Sequence, residues 1–193
     1  MLGLKLPTDP RWVKLVENNI SEILTDHAWC EQKAASNAIS MIVKYSDHAD
    51  LVDDLGKIAV EEMEHFNLVV AKIKERGFVL GPERKDDYVN DLMQFMHKGG
   101  SREQQLVDRL LFAAMIEARS CERFKMLSEK VDDEDLRQFY FSLMASEAGH
   151  YATFIGFARK YGKGIDVDKR WKEFLEYEAS IMANYGRKET MHG

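Results

Sequence analysis

At 193 residues the chain has room for one well-filled hydrophobic core and is short of two generous ones, so a single domain over 1–193 is expected. With 45% hydrophobic residues, three prolines and long stretches of Ala, Leu, Glu, Lys and Met, the composition is that of a mostly helical protein. A net charge of −6 excludes a protein clothed in basic surface, although a local basic patch for nucleic acid is still allowed.

Cys30 and Cys121 are too few for a disulfide framework and lack the paired spacing of a zinc or rubredoxin-type site. No run approaches the roughly 20 apolar residues of a membrane span, and residues 1–10 have no apolar core of the signal-peptide kind. A cytoplasmic protein with reduced thiols and no membrane partner is expected.

Thr8-Asp9-Pro10 pairs an N-cap candidate with a first-turn proline and opens a short helix toward Asn19. Apolar residues at helical spacing then predict four long helices over about 21–45, 50–76, 104–130 and 134–161. Polar turns at 46–50 and 132–134 join them in pairs, as two antiparallel hairpins. Between the hairpins lies a crossover bounded by Gly81-Pro82 and Gly99-Gly100, with a short helix at 87–97, and a last helix covers 168–184. Two hairpins joined by one long crossover is the connectivity of an all-α, ferritin-like four-helix bundle with short accessory helices.

The chemistry lies on the inward stripes. On the fourth long helix Leu136, Tyr140, Leu143, Glu147, His150, Phe154, Phe157 and Tyr161 alternate four and three residues apart, so a glutamate and a histidine sit among core residues. The second repeats the pattern with Leu51, Leu55, Ile58, Glu62, His65, Val69 and Ile73. The first and third helices each add one acid on a core face, Glu31 and Glu117. Glu31 and Glu62 are equidistant from the first turn, Glu117 and Glu147 from the second. The halves also repeat: Glu31 to Glu117 is 86 residues, while Glu62 to Glu147 and His65 to His150 are each 85.

Four ionised carboxylates in an apolar interior would cost several kcal/mol per charge unless cations lay between them. Two divalent ions cancel that charge. One Glu from each of two helices and Glu-x-x-His from each of the others is the donor set of di-iron and di-manganese carboxylate sites. Zinc takes fewer carboxylates, and calcium takes no imidazole. Glu61 and Glu64 leave the four-three register and read as solvated, His27 reads as a satisfied core histidine one turn before Glu31, and His48, His97 and His192 read as surface residues. Cys30 and Cys121 read as small core or wall residues, because a thiolate beside an oxidising centre would be a liability.

At these residues the sequence resembles the tRNA 2-methylthio-N6-isopentenyladenosine hydroxylases, bacterial non-haem di-iron monooxygenases. The segments that carry the resemblance are Asp26-His27-Ala28-Trp29-Cys30-Glu31, Glu61-Glu62-Met63-Glu64-His65-Phe66, Ile116-Glu117-Ala118-Arg119-Ser120-Cys121-Glu122-Arg123-Phe124 and Ser146-Glu147-Ala148-Gly149-His150-Tyr151. It implies two iron ions held by Glu31, Glu62, His65, Glu117, Glu147 and His150, with O2 as co-substrate and two electrons from an external reductase. It also implies hydroxylation of an isopentenyl side chain in the anticodon stem-loop of tRNA. Gly149 stands where the resemblance implies an arginine.

Candidate phosphate contacts are Arg119, Arg123, Arg159, Lys160, Lys163, Lys169, Arg170 and Lys172. The alternative is ferritin-like or rubrerythrin-like iron oxidation or peroxide reduction. The absence of a rubredoxin-like Cys-x-x-Cys pair weighs against the rubrerythrin version.

Overall fold

A computed structural model describes residues 2–185 and 190–192 of the chain. Among the described residues there are seven helices and no strand: α1 (Arg11–Asn18), α2 (Ile20–Lys44), α3 (Ala49–Glu75), α4 (Asp87–Met93), α5 (Arg102–Lys130), α6 (Glu134–Tyr161) and α7 (Val167–Met182). None of them is long and apolar enough to cross a membrane.

Each long helix begins and ends within two residues of its sequence expectation. α5 starts early because Ser101 and Gln104 form a capping box: the Ser101 side chain accepts from the Gln104 amide and the Gln104 side chain accepts from the Ser101 amide. The crossover helix stops at Met93 rather than 97. Its continuation tightens into three-residue turns, and the Phe95 carbonyl accepts from Arg170 Nη2 at 2.8 Å. The His97 amide, which a helix reaching 97 would point at the Met93 carbonyl, instead donates to Asp108 Oδ2 at 2.7 Å.

The chain packs as two compact units, one of α2 and α3, the other of α1 and α4 to α7. In the first, α2 and α3 form the expected hairpin, with Leu24, Ala28, Ala35, Ala38 and Met41 buried on α2 and Leu51, Leu55, Ile58, Val69 and Ile73 on α3. α3 ends at Gly77, whose φ of 72° lets the Phe78 amide reach back to the Ile73 carbonyl at 3.0 Å. The following strap runs back along α2, where Trp29 Nε1 donates to the Gly81 carbonyl at 2.9 Å and Lys33 pairs with Glu83 at 3.0 Å. Near the C-terminus, the Met191 amide donates to the buried Asp26 carboxylate at 2.6 Å.

In the second unit α5 packs against α6, and α4 and α7 also pack on α5. Sequence periodicity gave α5 one inward stripe of Leu106, Leu110, Ala113, Glu117, Phe124 and Leu127. The helix also buries Val107, Leu111, Ala114, Met115, Ala118 and Cys121.

Two of its arginines are buried with it. Arg119 Nε and Nη2 donate to Glu178 Oε1 on α7, at 3.0 and 2.5 Å, while Nη1 donates to Glu122 Oε2 and Nη2 to the Leu6 carbonyl, each at 3.0 Å. The Arg123 guanidinium lies 4.4 Å from the Trp12 ring centroid. Arg119 and Arg123 are fully buried, and Arg170 is buried against Asp108 at 2.9 Å, so these three expected phosphate contacts are structural cations. Arg159, Lys160, Lys163, Lys169 and Lys172 are exposed.

Two stability measurements follow. Glu178→Ala strips a buried guanidinium of the carboxylate oxygen that accepts from two of its nitrogens and is expected to cost about 3–5 kcal/mol in urea unfolding, whereas an isolated surface pair would cost under about 1 kcal/mol. Gly149 is exposed in mid-helix with open space around the position of a Cβ, so Gly149→Ala is expected to stabilise the protein by about 1 kcal/mol.

Candidate metal centre

Glu62 and His65 are three residues apart on α3, so both side chains leave the same face of the helix. Glu31 joins them from the paired helix: His65 Nδ1 lies 3.4 Å from Glu62 Oε2 and 3.9 Å from Glu31 Oε2. One ligand atom from each of the three lies within 4.8 Å of the others.

The other hairpin repeats the set. Glu147 and His150 leave one face of α6, His150 Nδ1 lies 4.0 Å from Glu117 Oε2, and ligand atoms of Glu117, Glu147 and His150 lie within 4.8 Å of one another. All six residues are buried, with exposures between 1% and 6%.

Burial has an electrostatic consequence. Loss of water pushes the Glu31 carboxyl up to about 8, against the hydrogen bond from His65 and reinforced by the charge of Glu62. A carboxylate that resists ionisation beside a second carboxylate and an imidazole suits a cation, which removes the penalty and displaces the proton. The donor chemistry of each set, two carboxylates and one imidazole, is that of an iron or manganese ligand field, without the thiolates a softer metal would take.

The neighbours divide as follows. Glu64 is exposed and Glu61 half-buried, and neither belongs to a ligand group. Burial and then the charge of Glu147 push the Cys121 thiol up to about 11, so it stays neutral, with Sγ directed at the Met144 carbonyl at 3.6 Å. Cys30 is half-buried and in no disulfide.

His27 is fully buried, as expected for a core histidine, but its Nε2 lies 2.5 Å from Glu31 Oε1. The spacing of four helical residues was the available signal for that contact. His192, expected at the surface, is 3% exposed. Its ring lies between Ser120 Oγ, 3.0 Å from Nε2, and Asp86 Oδ2, 3.2 Å from Nδ1, and stacks on Tyr88.

The sequence model of a family described as tRNA-(MS[2]IO[6]A)-hydroxylase (MiaE) matches residues 2–193. The chain belongs to this family. A Pseudomonas putida relative, tRNA 2-(methylsulfanyl)-N(6)-isopentenyladenosine(37) hydroxylase, is 38% identical over 164 residues, 85% of this chain and 78% of its own. A Salmonella typhimurium relative of the same name is 27% identical over an alignment of 238 positions, covering 98% of this chain and 87% of its own.

Among solved structures, a Synechococcus protein with aldehyde deformylating oxygenase activity is similar with a TM-score of 0.91 and 34% identity, over 98% of this chain and 95% of the other. The fold is ferritin-like, as the connectivity predicted. Family and fold together make this an oxidoreductase of the hydroxylase kind, and they do not favour the iron-storage or peroxidase alternative.

The Glu31 carboxyl sets a pH dependence. The folded, metal-free chain holds that proton up to about pH 8, whereas an unfolded glutamate releases it near 4.5, so between these values the folded state binds more protons and loses stability as pH rises. Metal-free protein is therefore expected to show a lower urea midpoint at about pH 8.5 than at about pH 6, with the difference reduced in Glu31→Gln. A midpoint that rises over the same window would show that Glu31 is ionised throughout.

Proposed function

We infer that this protein hydroxylates the isopentenyl side chain of 2-methylthio-N6-isopentenyladenosine in tRNA, and that Glu31, Glu62, His65, Glu117, Glu147 and His150 together hold two iron ions for that reaction within one ferritin-like domain. The observation that carries the reading is the duplication. Each helical hairpin gathers two buried carboxylates and one imidazole within 4.8 Å, in a chain of the tRNA hydroxylase family. Two divalent ions balance four carboxylates, and two imidazoles give one nitrogen ligand to each ion.

When bound, the iron pair supplies what no side chain can, the reduction of O2 to an oxidant able to attack an unactivated C–H bond. An allylic methyl has no acidic proton and no leaving group, so acid–base and nucleophilic catalysis cannot functionalise it. The balance is R–H, O2, two electrons and two protons to R–OH and water. A separate reductase supplies the electrons: with two cysteines the chain cannot ligate an iron–sulfur cluster that takes four.

The chain's own residues set the stage. Six buried side chains on helices give the ligands fixed positions and keep bulk water from the oxidising centre. Glu31 gives up its raised-pKa proton as the cation arrives.

A nucleoside in an anticodon loop is already single-stranded and leaves its stack at a cost of about a few kcal/mol. Near the α6–α7 turn, Lys160 lies over both Phe157 and Tyr161, whose rings stack at 6.1 Å, and Arg159, Lys163, Lys169 and Lys172 are exposed nearby in sequence. Cations interleaved with aromatic rings suit a single-stranded nucleic acid, and we assign the phosphate contacts of tRNA to this end of the α5–α6 unit. Such a substrate places the protein in the cytoplasm.

The likeness to the Synechococcus protein favours one rival reading, in which the same centre attacks an aldehyde. Mass spectrometry separates the two. Nucleosides are analysed from tRNA of a strain that makes the isopentenylated base and lacks its hydroxylase, with and without this gene. The expected result is a gain of one oxygen on that nucleoside, absent in Glu147→Ala, whose purified protein also holds fewer than the two irons per chain expected of the wild type. Unchanged tRNA with iron-loaded protein and a working reductase would overturn the substrate assignment, and consumption of an aldehyde under the same conditions would replace it.

A further inference from the structure

The two ligand sets repeat in sequence, but their surroundings do not. The spacing of 86 residues that carries Glu31 onto Glu117 carries His27 onto Ala113 and Ala35 onto Cys121. Ala113 is buried, at 5% exposure, and a methyl group offers Glu117 no hydrogen bond from that position. His27 is buried at 0% and brings Nε2 to 2.5 Å from Glu31 Oε1. One carboxylate of the repeat therefore has an imidazole one helical turn before it, and its counterpart has a methyl.

The geometry assigns His27 as a positioning residue: its Nε2–H holds one oxygen of Glu31, leaves the other for metal, and makes the two metal positions unequal. This rests on the di-iron reading above. An ionised carboxylate only accepts hydrogen bonds, so with Glu31 serving as a ligand the imidazole nitrogen is the donor. The contact fixes which oxygen of Glu31 is free. His65 Nδ1 lies 3.9 Å from Oε2, the oxygen that His27 does not hold. Hydrogen-bond partners of ligands typically contribute a factor of about 10–100 to metal affinity. An imidazole at this position beside Glu31, where the matching position beside Glu117 is Ala113, separates the affinities of the two sets.

The test is a ferrous titration of the full chain under anaerobic conditions, with bound iron counted per chain and helix content followed by circular dichroism. Three variants distinguish a hydrogen bond from filled space. His27→Gln carries an amide nitrogen to the place of Nε2, His27→Asn falls short of it, and His27→Leu fills the volume with no donor.

Wild-type protein is expected to bind two ferrous ions in distinguishable steps. His27→Leu and His27→Asn are expected to weaken one step by about 10–100-fold and leave the other unchanged, and His27→Gln to recover to within about threefold. If His27→Leu loses its helix content, the contrast between Gln and Asn decides.

Superimposed wild-type and His27→Leu isotherms, or equal affinities in Gln and Asn, would overturn the assignment of His27. Wild-type protein that fails to bind two ions would instead overturn the di-iron reading, so the two failures are told apart.

Discussion

Water is withdrawn from carboxylates on each hairpin, and much of the structure follows from that. A lone buried carboxylate is normally avoided by folded chains, because its ionised form loses several kcal/mol of hydration. Here the α2–α3 unit buries two of them around one imidazole, and the α5–α6 unit does the same. Without a cation, burial raises the Glu31 carboxyl and favours its protonated form. Folding thus leaves the α2–α3 unit with an electrostatic demand that a divalent ion can meet. The apolar residues beside the acids, such as Ala28 and Ala35 around Glu31, prevent water from meeting it instead.

A demand of that kind holds its geometry only if the helices that carry the ligands do not yield. In the α5–α6 unit, α5 is clamped on the side away from its ligand stripe. Arg119 is two residues beyond Glu117 and ties α5 to α7 through Glu178 and to the N-terminal segment through Leu6, while Arg123 stacks on Trp12. A guanidinium whose nitrogens reach Glu178, Glu122 and a main-chain carbonyl is poorly suited to sliding, since any shift breaks more than one charged hydrogen bond at once. The accessory helices, which carry no ligand, thereby contribute to the precision of those that do.

Much of this was legible in the amino-acid sequence, and the parts that were not share a cause. Helix bounds and the six candidate ligands follow from periodicity, because one amphipathic stripe is a local pattern and a Glu-x-x-His in register with it is visible in a window of a dozen residues. The burial of α5 on further faces was not legible, since it depends on α4 and α7 packing onto it from distant parts of the chain. Nor was the burial of Arg119, Arg123 and Arg170. Each reads as a surface cation until its partners are known, and Arg119 finds them 59 and 113 residues away. His192 was misread for the same reason: residues near a chain end carry no periodic signal, and its partners Ser120 and Asp86 are 72 and 106 residues distant.

Substrate choice is written elsewhere than in the ligands. Two proteins of different activity, a tRNA hydroxylase at 38% identity and a protein with aldehyde deformylating oxygenase activity at 34%, are both similar to this chain over most of its length. A common scaffold across two substrate classes means that the fold fixes a kind of chemistry and leaves the target open. What can distinguish a polyanionic RNA from an uncharged aldehyde is charge outside the core. An aldehyde has no use for a run of exposed cations, whereas each phosphate of an anticodon loop does. On a chain of net charge −6, five exposed Lys and Arg residues between 159 and 172 are a local reversal of sign, and that reversal is maintained although Asp166 and Asp168 lie among them. Asp168 pairs with Arg159 at 2.8 Å. The exposed cations to which we assign the tRNA phosphates stand at the α6–α7 end of the α5–α6 unit, eleven residues or about 16 Å along α6 from His150 to Tyr161.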